Sequence, residues 1–255
     1  MAATRRTETL NGVQLYFELQ GSGEPLMLLH GFSGCSQDWA ALAGEWAAHF
    51  QLIVPDMRGH GNSRELRPLP SIRGTTFRHD DAAADIAALL DHLGITTFKG
   101  LGISGGGNVL LHLATRQPDR VKAMVLVSAT SYFPAQARAI MRQYPASLTE
   151  KDWEALRRKH PGGDAQIKAL LASTAAFADS YDDLNFTAPY LSTIRARTLI
   201  VQGDRDPLYP VEISVEMAKA IPNSSLWIIP GGGHGPVIGE RWPEFVQTAL
   251  AFLKA

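Results

Sequence analysis

Short apolar runs and amphipathic stripes alternate along the first half of the chain. Val13 to Leu19 largely alternates apolar and polar positions, the pattern of a half-exposed strand. Pro25 to His30 and Gln51 to Pro55 are continuous apolar runs, which suits strands buried on both faces. Between them, a helix is expected over Gln37 to Ala48, with Trp39, Leu42, Trp46 and Phe50 forming one apolar stripe. Arg78 to Leu93 predicts a strongly amphipathic helix, with Ala82, Ile86, Leu89, Leu90 and Leu93 on one face and Gly94 as its stop. Residues 64 to 77, with Pro68, Pro70 and Gly74, read as an irregular loop. A strand over Thr96 to Leu101, a glycine-dense turn, a helix over Asn108 to Arg116 and a strand over Val121 to Ser128 follow.

This alternation predicts an α/β architecture: a mostly parallel central sheet with helices on both faces. From about 130 to 193 the rhythm breaks. Ala135–Tyr144, Thr149–His160 and Ala165–Ala178 all carry helical patterns with no strand between them. A helical insertion there is most simply a cap over the C-terminal edge of the sheet, where ligands bind in open α/β folds. The alternation then resumes with a strand over Thr198 to Gln202, a helix over Val211 to Ala220, a strand over Ser225 to Ile229 and a terminal helix over Glu240 to Leu253. The expected organisation is one domain over 1–255, with a core of 1–129 and 194–255 and a cap of about 130–193.

Composition narrows the chemistry. A formal net charge of −1 offers no field to recruit nucleic acid or an acidic membrane surface. The basic run Arg157-Arg158-Lys159-His160 lies in a helical pattern beside Asp152 and Glu154, as a solvated helix face would. A single cysteine, Cys35, cannot form an intrachain disulfide or a thiolate-rich metal site, and no H-x-x-x-H pattern occurs. Met1 to Thr9 is polar and does not read as a secretory signal, and no stretch approaches the roughly 20 apolar residues of a membrane helix. A soluble cytoplasmic protein, monomer or homodimer, is expected, with no metal, no cofactor and no membrane or nucleic-acid partner.

The candidate chemistry centres on Gly100-Leu101-Gly102-Ile103-Ser104-Gly105-Gly106-Gly107. Gly100, Gly102 and Gly105 match the dinucleotide pattern G-x-G-x-x-G, while Gly102-Ile103-Ser104-Gly105-Gly106 matches the nucleophile elbow G-x-S-x-G. The dinucleotide reading wants an acid at the end of the following strand to hold a ribose, and Val127-Ser128-Ala129-Thr130-Ser131 has none. A P-loop would need G-K-[ST], which is absent. The elbow wants an acid and then a histidine in loops after later strands. Asp204 and Asp206 follow the strand over 198–202, and His234 follows the strand over 225–229.

With these residues in that order, the chain resembles the α/β-hydrolase fold family. The likeness spans nearly the whole chain, through His30-Gly31-Phe32, Asp56-Met57-Arg58-Gly59-His60-Gly61-Asn62-Ser63, the elbow at Ser104, Gly203-Asp204-Arg205-Asp206 and Gly233-His234. The cap matches only in position and helical character. The resemblance implies Ser104 as nucleophile, His234 as general base and an acid that orients it. Asp204 and Asp206 both compete for that last role; the family's Gly-x-x-Asp pattern, followed by a proline turn, favours Asp206. The backbone N–H groups of Phe32 and Gly105 are the expected oxyanion donors.

His30, at the end of a buried run, is expected to line the site as a structural histidine, and Tyr132 and Phe133 to line the substrate pocket. His49, His60, His79, His92, His112 and His160 receive no role. Cys35 is expected to be a small buried thiol, and Asp56, Arg58 and Ser63 a structural turn. The expected activity is cofactor-free hydrolysis of small to medium carboxylic esters through an acyl-enzyme. A lactone or thioester would need the same machinery. The fold also hosts lyases, perhydrolases and ligand receptors with a slow triad, so fold alone does not choose.

Overall fold

The computed structural model describes residues 2–66 and 77–255 of the chain. Most of the stretch read as an irregular loop, 67–76, lies outside the described residues. Its first two positions, Arg64–Glu65, instead form a two-residue strand paired with the strand at Val13–Gln20.

The described residues form one nine-stranded sheet. In chain order the strands are β1 (Thr4–Leu10), β2 (Val13–Gln20), β3 (Glu24–Leu29), β4 (Phe50–Pro55), β5 (Arg64–Glu65), β6 (Phe98–Ile103), β7 (Val121–Val127), β8 (Arg197–Gly203) and β9 (Ser224–Ile229). Their spatial order is β1-β2-β4-β3-β6-β7-β8-β9, with β5 on β2. The pairs β1–β2, β2–β4 and β2–β5 are antiparallel. Every pair from β4 through β9 is parallel.

β1 carries no apolar alternation because it is an exposed edge strand, TRRTETL, with only polar residues before Leu10. The signal for it lies in the turn. Asn11 and Gly12 both take positive φ, +48° and +78°, as a two-residue hairpin turn requires.

Two helical layers cover the sheet. On one face, α2 (His79–His92), α3 (Gly105–Arg116) and α8 (Val211–Ala220) bury Ile86, Leu89, Val109, Leu110, Ile213 and Met217, with α3 over β3, β6 and β7 and α8 over β8 and β9. On the other, α1 (Ala40–Trp46) and α9 (Trp242–Lys254) bury Leu42, Trp46, Phe245, Ala249 and Leu253. The predicted stripe Trp39, Leu42, Trp46 and Phe50 is at most 2% exposed throughout.

Four helices fall between β7 and β8: α4 (Ala135–Ser147), α5 (Glu150–Lys159), α6 (Gly163–Phe177) and α7 (Ala188–Leu191). No strand separates them among the described residues; a lone bridge joins Tyr132 to Asn185. His160, at the end of α5, ties this layer to the core: its Nδ1 accepts the Gly61 N–H at 3.0 Å and its Nε2 lies 3.1 Å from the Ser33 carbonyl.

The turn after β4 is structural, as expected. The Asp56 carboxylate accepts the Ser36 and Asn62 backbone N–H groups at 2.6 and 2.7 Å. Arg58 and Asp85 make a two-pronged pair, both bonds 2.7 Å, with each side chain 1% exposed. No described helix is long and apolar enough to cross a membrane.

Candidate active site

β6 runs on to Ile103, two residues beyond the apolar run that marks it, and α3 begins at Gly105 rather than Asn108. Glycine's low intrinsic preference for either state hides both boundaries. Packing demands it nonetheless. A Cβ on Gly102 would sit 2.5 Å from the Gly106 backbone, and one on Gly106 would sit 2.2 Å from the Leu29 carbonyl oxygen. Strand and helix can therefore meet only through bare backbone.

Ser104 occupies the corner with φ +50° and ψ −116°, a conformation that costs a non-glycine residue on the order of 1–3 kcal/mol. Its N–H is tied to the Val127 carbonyl at 2.7 Å, which holds the corner against β7. The strained corner presents Oγ to the loops beyond the sheet.

Two of those loops meet it. His234 lies in the glycine-rich loop after β9, where Gly203 lets the loops from β8 and β9 touch: a Cβ there would be 2.2 Å from the Gly232 oxygen. His234 Nε2 lies 2.9 Å from Ser104 Oγ, and its Nδ1 lies 2.8 Å from Asp206 Oδ2. The Asp206 carboxylate also accepts the Leu208 and Tyr209 N–H groups at 2.8 and 3.1 Å and the Gln202 amide at 2.9 Å. Burial alone would push the Asp206 carboxyl up. The hydrogen bond and charge of His234, with the two backbone donors, outweigh it and hold the carboxyl below its ordinary range. Asp204, the competing acid, is exposed.

Beside Ser104, a Cβ on Gly105 would approach the Phe32 nitrogen to 3.3 Å, so the two expected oxyanion donors adjoin. Gly105 is the first residue of α3, where an N–H has no intrahelical acceptor and the helix field favours negative charge. The Phe32 ring packs edge-on against Phe77 and Phe177, at 5.1 and 5.0 Å between centroids.

Ser104 and His234 open into a cavity of about 310 Å³, shared between the core loops and helices α4 and α6. Phe32, Phe133, Ile140, Met141, Phe177 and Leu208 make most of it apolar. Tyr209 closes the side next to His234, ring centroids 5.3 Å apart, with its hydroxyl against Asn108 and Ser104. Phe133 lies in the wall of this cavity.

Tyr132 does not. Neighbouring residues on an extended segment point to opposite sides, and Tyr132 is 39% exposed with its phenol toward Glu216. His30 is also outside this cavity. It is fully buried, with Nε2 accepting the Met57 N–H at 3.0 Å and Nδ1 at 2.8 Å from the Gly31 carbonyl, so both nitrogens brace the loops behind Phe32. Cys35 is buried, and burial pushes its thiol up to about 11.

His79, which sequence pattern assigned to a helix face, is a cavity residue. Only its position at the start of an amphipathic helix hinted at that. Among the described residues there is no group of three or more histidine, cysteine, aspartate or glutamate side chains that could hold a metal.

A family model described as alpha/beta hydrolase fold matches residues 24–162, and a second, described as TAP-like protein, matches residues 185–253. A non-heme haloperoxidase of Rhodococcus erythropolis is 27% identical, over 88% of this chain and 90% of its own. A pimeloyl-[acyl-carrier protein] methyl ester esterase of Vibrio vulnificus is 28% identical, over 93% and 97%. The solved structure of a thermophilic esterase from Thermogutta terrifontis superposes with a TM-score of 0.74 at 26% identity, covering 100% of this chain and 98% of that one. With a matching family description across more than half its length, a mostly parallel sheet and an elbow serine at its C-terminal edge, this chain belongs to the α/β-hydrolase fold family.

Proposed function

We propose that the chain is a serine hydrolase cleaving carboxylic esters of small to medium size through an acyl-enzyme. Ser104 attacks the ester carbonyl while His234 takes its proton, and the Asp206 carboxylate keeps the imidazole oriented and stabilises its charged form. The N–H groups of Phe32 and Gly105 receive the charge that develops on the carbonyl oxygen. His234 then protonates the leaving alcohol, and a water activated by the same imidazole releases the acid. Residues 130–193 act as a cap that walls the acyl side.

One observation carries this reading: the unbroken relay from Ser104 Oγ through both His234 nitrogens to Asp206, opening into a largely apolar cavity. The cavity volume of about 310 Å³ favours acyl groups of modest length. The esterases among the relatives support the bond type. A panel of p-nitrophenyl esters from acetate to decanoate tests it. Turnover peaking at short to medium chains and lost in Ser104→Ala supports the reading; a rate that survives Ser104→Ala rejects it.

The haloperoxidase relative favours a second reading, in which hydrogen peroxide replaces water as acceptor of the acyl group. Attack of peroxide on the acyl-enzyme would give a peracid and free Ser104. Bromination of monochlorodimedone that requires acetate, peroxide, bromide and Ser104 would support it. Bromination equally fast without acetate would count against it.

A further inference from the structure

A second histidine–carboxylate pair brings one of its members, His79, to the wall of the same cavity, beside Gly105. His79 opens α2, and its Nδ1 lies 2.8 Å from Oδ2 of Asp183, contributed by the segment between α6 and α7. The same carboxylate accepts the backbone N–H groups of His79 and Asp80, at 3.0 and 3.2 Å, and so caps the helix N-terminus. The two side chains are 2% and 1% exposed. Burial alone would push the Asp183 carboxyl up. The charge and hydrogen bonds of His79 and the Asp80 N–H outweigh it and hold the carboxyl far below its ordinary range.

The His79 ring is fixed on its flanks by Phe77, Phe133 and Phe177, with centroids 5.3, 6.0 and 5.1 Å away. Its Nδ1 is committed to Asp183, which leaves Nε2 toward the cavity. Nε2 lies 3.5 Å from the point where a side chain at Gly105 would begin, and that point is 3.3 Å from the Phe32 nitrogen. The missing side chain leaves a niche bounded by Nε2 on one side and the oxyanion donors on the other. The niche adjoins the oxyanion donors, so a polar group on the first carbons beyond a carbonyl held there could reach Nε2.

We propose that His79 Nε2 recognises a hydroxyl group on the acyl chain, on the second or third carbon, so that 2- or 3-hydroxyacyl esters are the preferred substrates. The inference rests on the serine-esterase reading of Ser104. A hydroxyl is the group that fits both states of the ring. With Nδ1–H donated to Asp183, a neutral imidazole offers a lone pair at Nε2, and the hydroxyl donates to it. An imidazolium offers an N–H there, and the hydroxyl accepts. A ketone satisfies only the second state, and a plain acyl chain neither. In a cavity whose surface is largely apolar, though Ser33, Asn108, Tyr144, Thr174 and Tyr209 also reach it, leaving Nε2 without a partner after water is expelled penalises the unsubstituted chain.

Binding to the Ser104→Ala protein tests this without turnover. Calorimetry compares benzyl 3-hydroxybutyrate and benzyl 2-hydroxybutyrate with benzyl butyrate. At least one hydroxy ester should bind about tenfold more tightly than butyrate. The preference should fall to within about twofold in Ser104→Ala/His79→Phe, and His79→Gln, whose amide both donates and accepts, should restore it to about threefold or more. Equal affinities for all three esters in Ser104→Ala overturn the proposal, whether or not the His79 variants fold. So does a preference that persists in a folded His79→Phe protein. Failure of the esterase reading appears separately, as wild-type protein unable to hydrolyse p-nitrophenyl butyrate, and leaves the affinity ratio readable.

Discussion

Replacing Asp206 by Asn removes one charge and almost no volume, yet it should silence the site. One oxygen of the Asp206 carboxylate accepts the Leu208 and Tyr209 N–H groups, and an Asn carbonyl must stay there to avoid orphaning both. Its NH2 then takes the place of Oδ2, 2.8 Å from His234 Nδ1. An amide N–H pointing at Nδ1 forces the imidazole proton onto Nε2, which faces Ser104 Oγ at 2.9 Å. The ring then presents a donor where a lone pair must take the serine proton. The equivalent change in Ser-His-Asp sites lowers kcat by about 10⁴, equal to about 5.5 kcal/mol of transition-state stabilisation. The Gln202 amide, now 2.9 Å from Oδ2, faces the new NH2; its Oε1 has no partner and can turn to accept from it, at the loss of the Nε2 bond to the Tyr209 carbonyl, about 1 kcal/mol. The protein should therefore fold. The assay is kcat/KM for p-nitrophenyl butyrate, with Asp204→Asn as control. A loss under tenfold in a folded Asp206→Asn protein, or a larger loss in Asp204→Asn, refutes the reasoning.

Three further outcomes follow from packing and charge. Gly106→Ala puts a methyl 2.2 Å from the Leu29 carbonyl, which should cost about 3 kcal/mol and lower the melting temperature by about 6–12 °C; an unchanged melt contradicts this. Phe177→Ala opens the wall beside Phe133 and should move the preferred acyl chain toward longer esters, at a stability cost of about 3 kcal/mol read from urea denaturation. Burial lowers the folded values of His30, His60 and His160, and that of His112 to about 4, from an unfolded value near 6.5. The unfolded chain thus binds more protons below about pH 6.5. Stability is full above that pH and falls on acidification, by up to about 1.4 kcal/mol per pH unit for each ring until its folded value is reached. Urea midpoints at pH 7.0, 6.0 and 5.5 should drop in order, and equal midpoints would contradict it.

The architecture was legible where burial imposes a period. The stripe of Trp39, Leu42 and Trp46 and the runs of β3 and β4 are buried as their patterns imply, because a two-sided core tolerates little else. β1 was not legible, since an exposed edge strand needs no apolar face. The order of Ser104, the acid and His234 pointed to the site, but the choice between Asp204 and Asp206 is a matter of which residue the turn after β8 buries. Tyr132 and Phe133 are adjacent in the chain and opposite in space, a distinction that depends on where the extended segment begins its alternation. The His79–Asp183 pair joins residues 104 positions apart across the core and the inserted helices, so no local pattern could announce it.

The most direct test of the chemistry is to trap the intermediate. Wild-type protein mixed with p-nitrophenyl butyrate and quenched in acid within milliseconds should gain the mass of one butyryl group. Peptide mapping should place that group on Ser104, with a matching burst of one equivalent of p-nitrophenol when release of the acid is the slower step. Ser104→Ala should show neither adduct nor burst. A butyryl group on another residue, or turnover by Ser104→Ala at the wild-type rate, would contradict it.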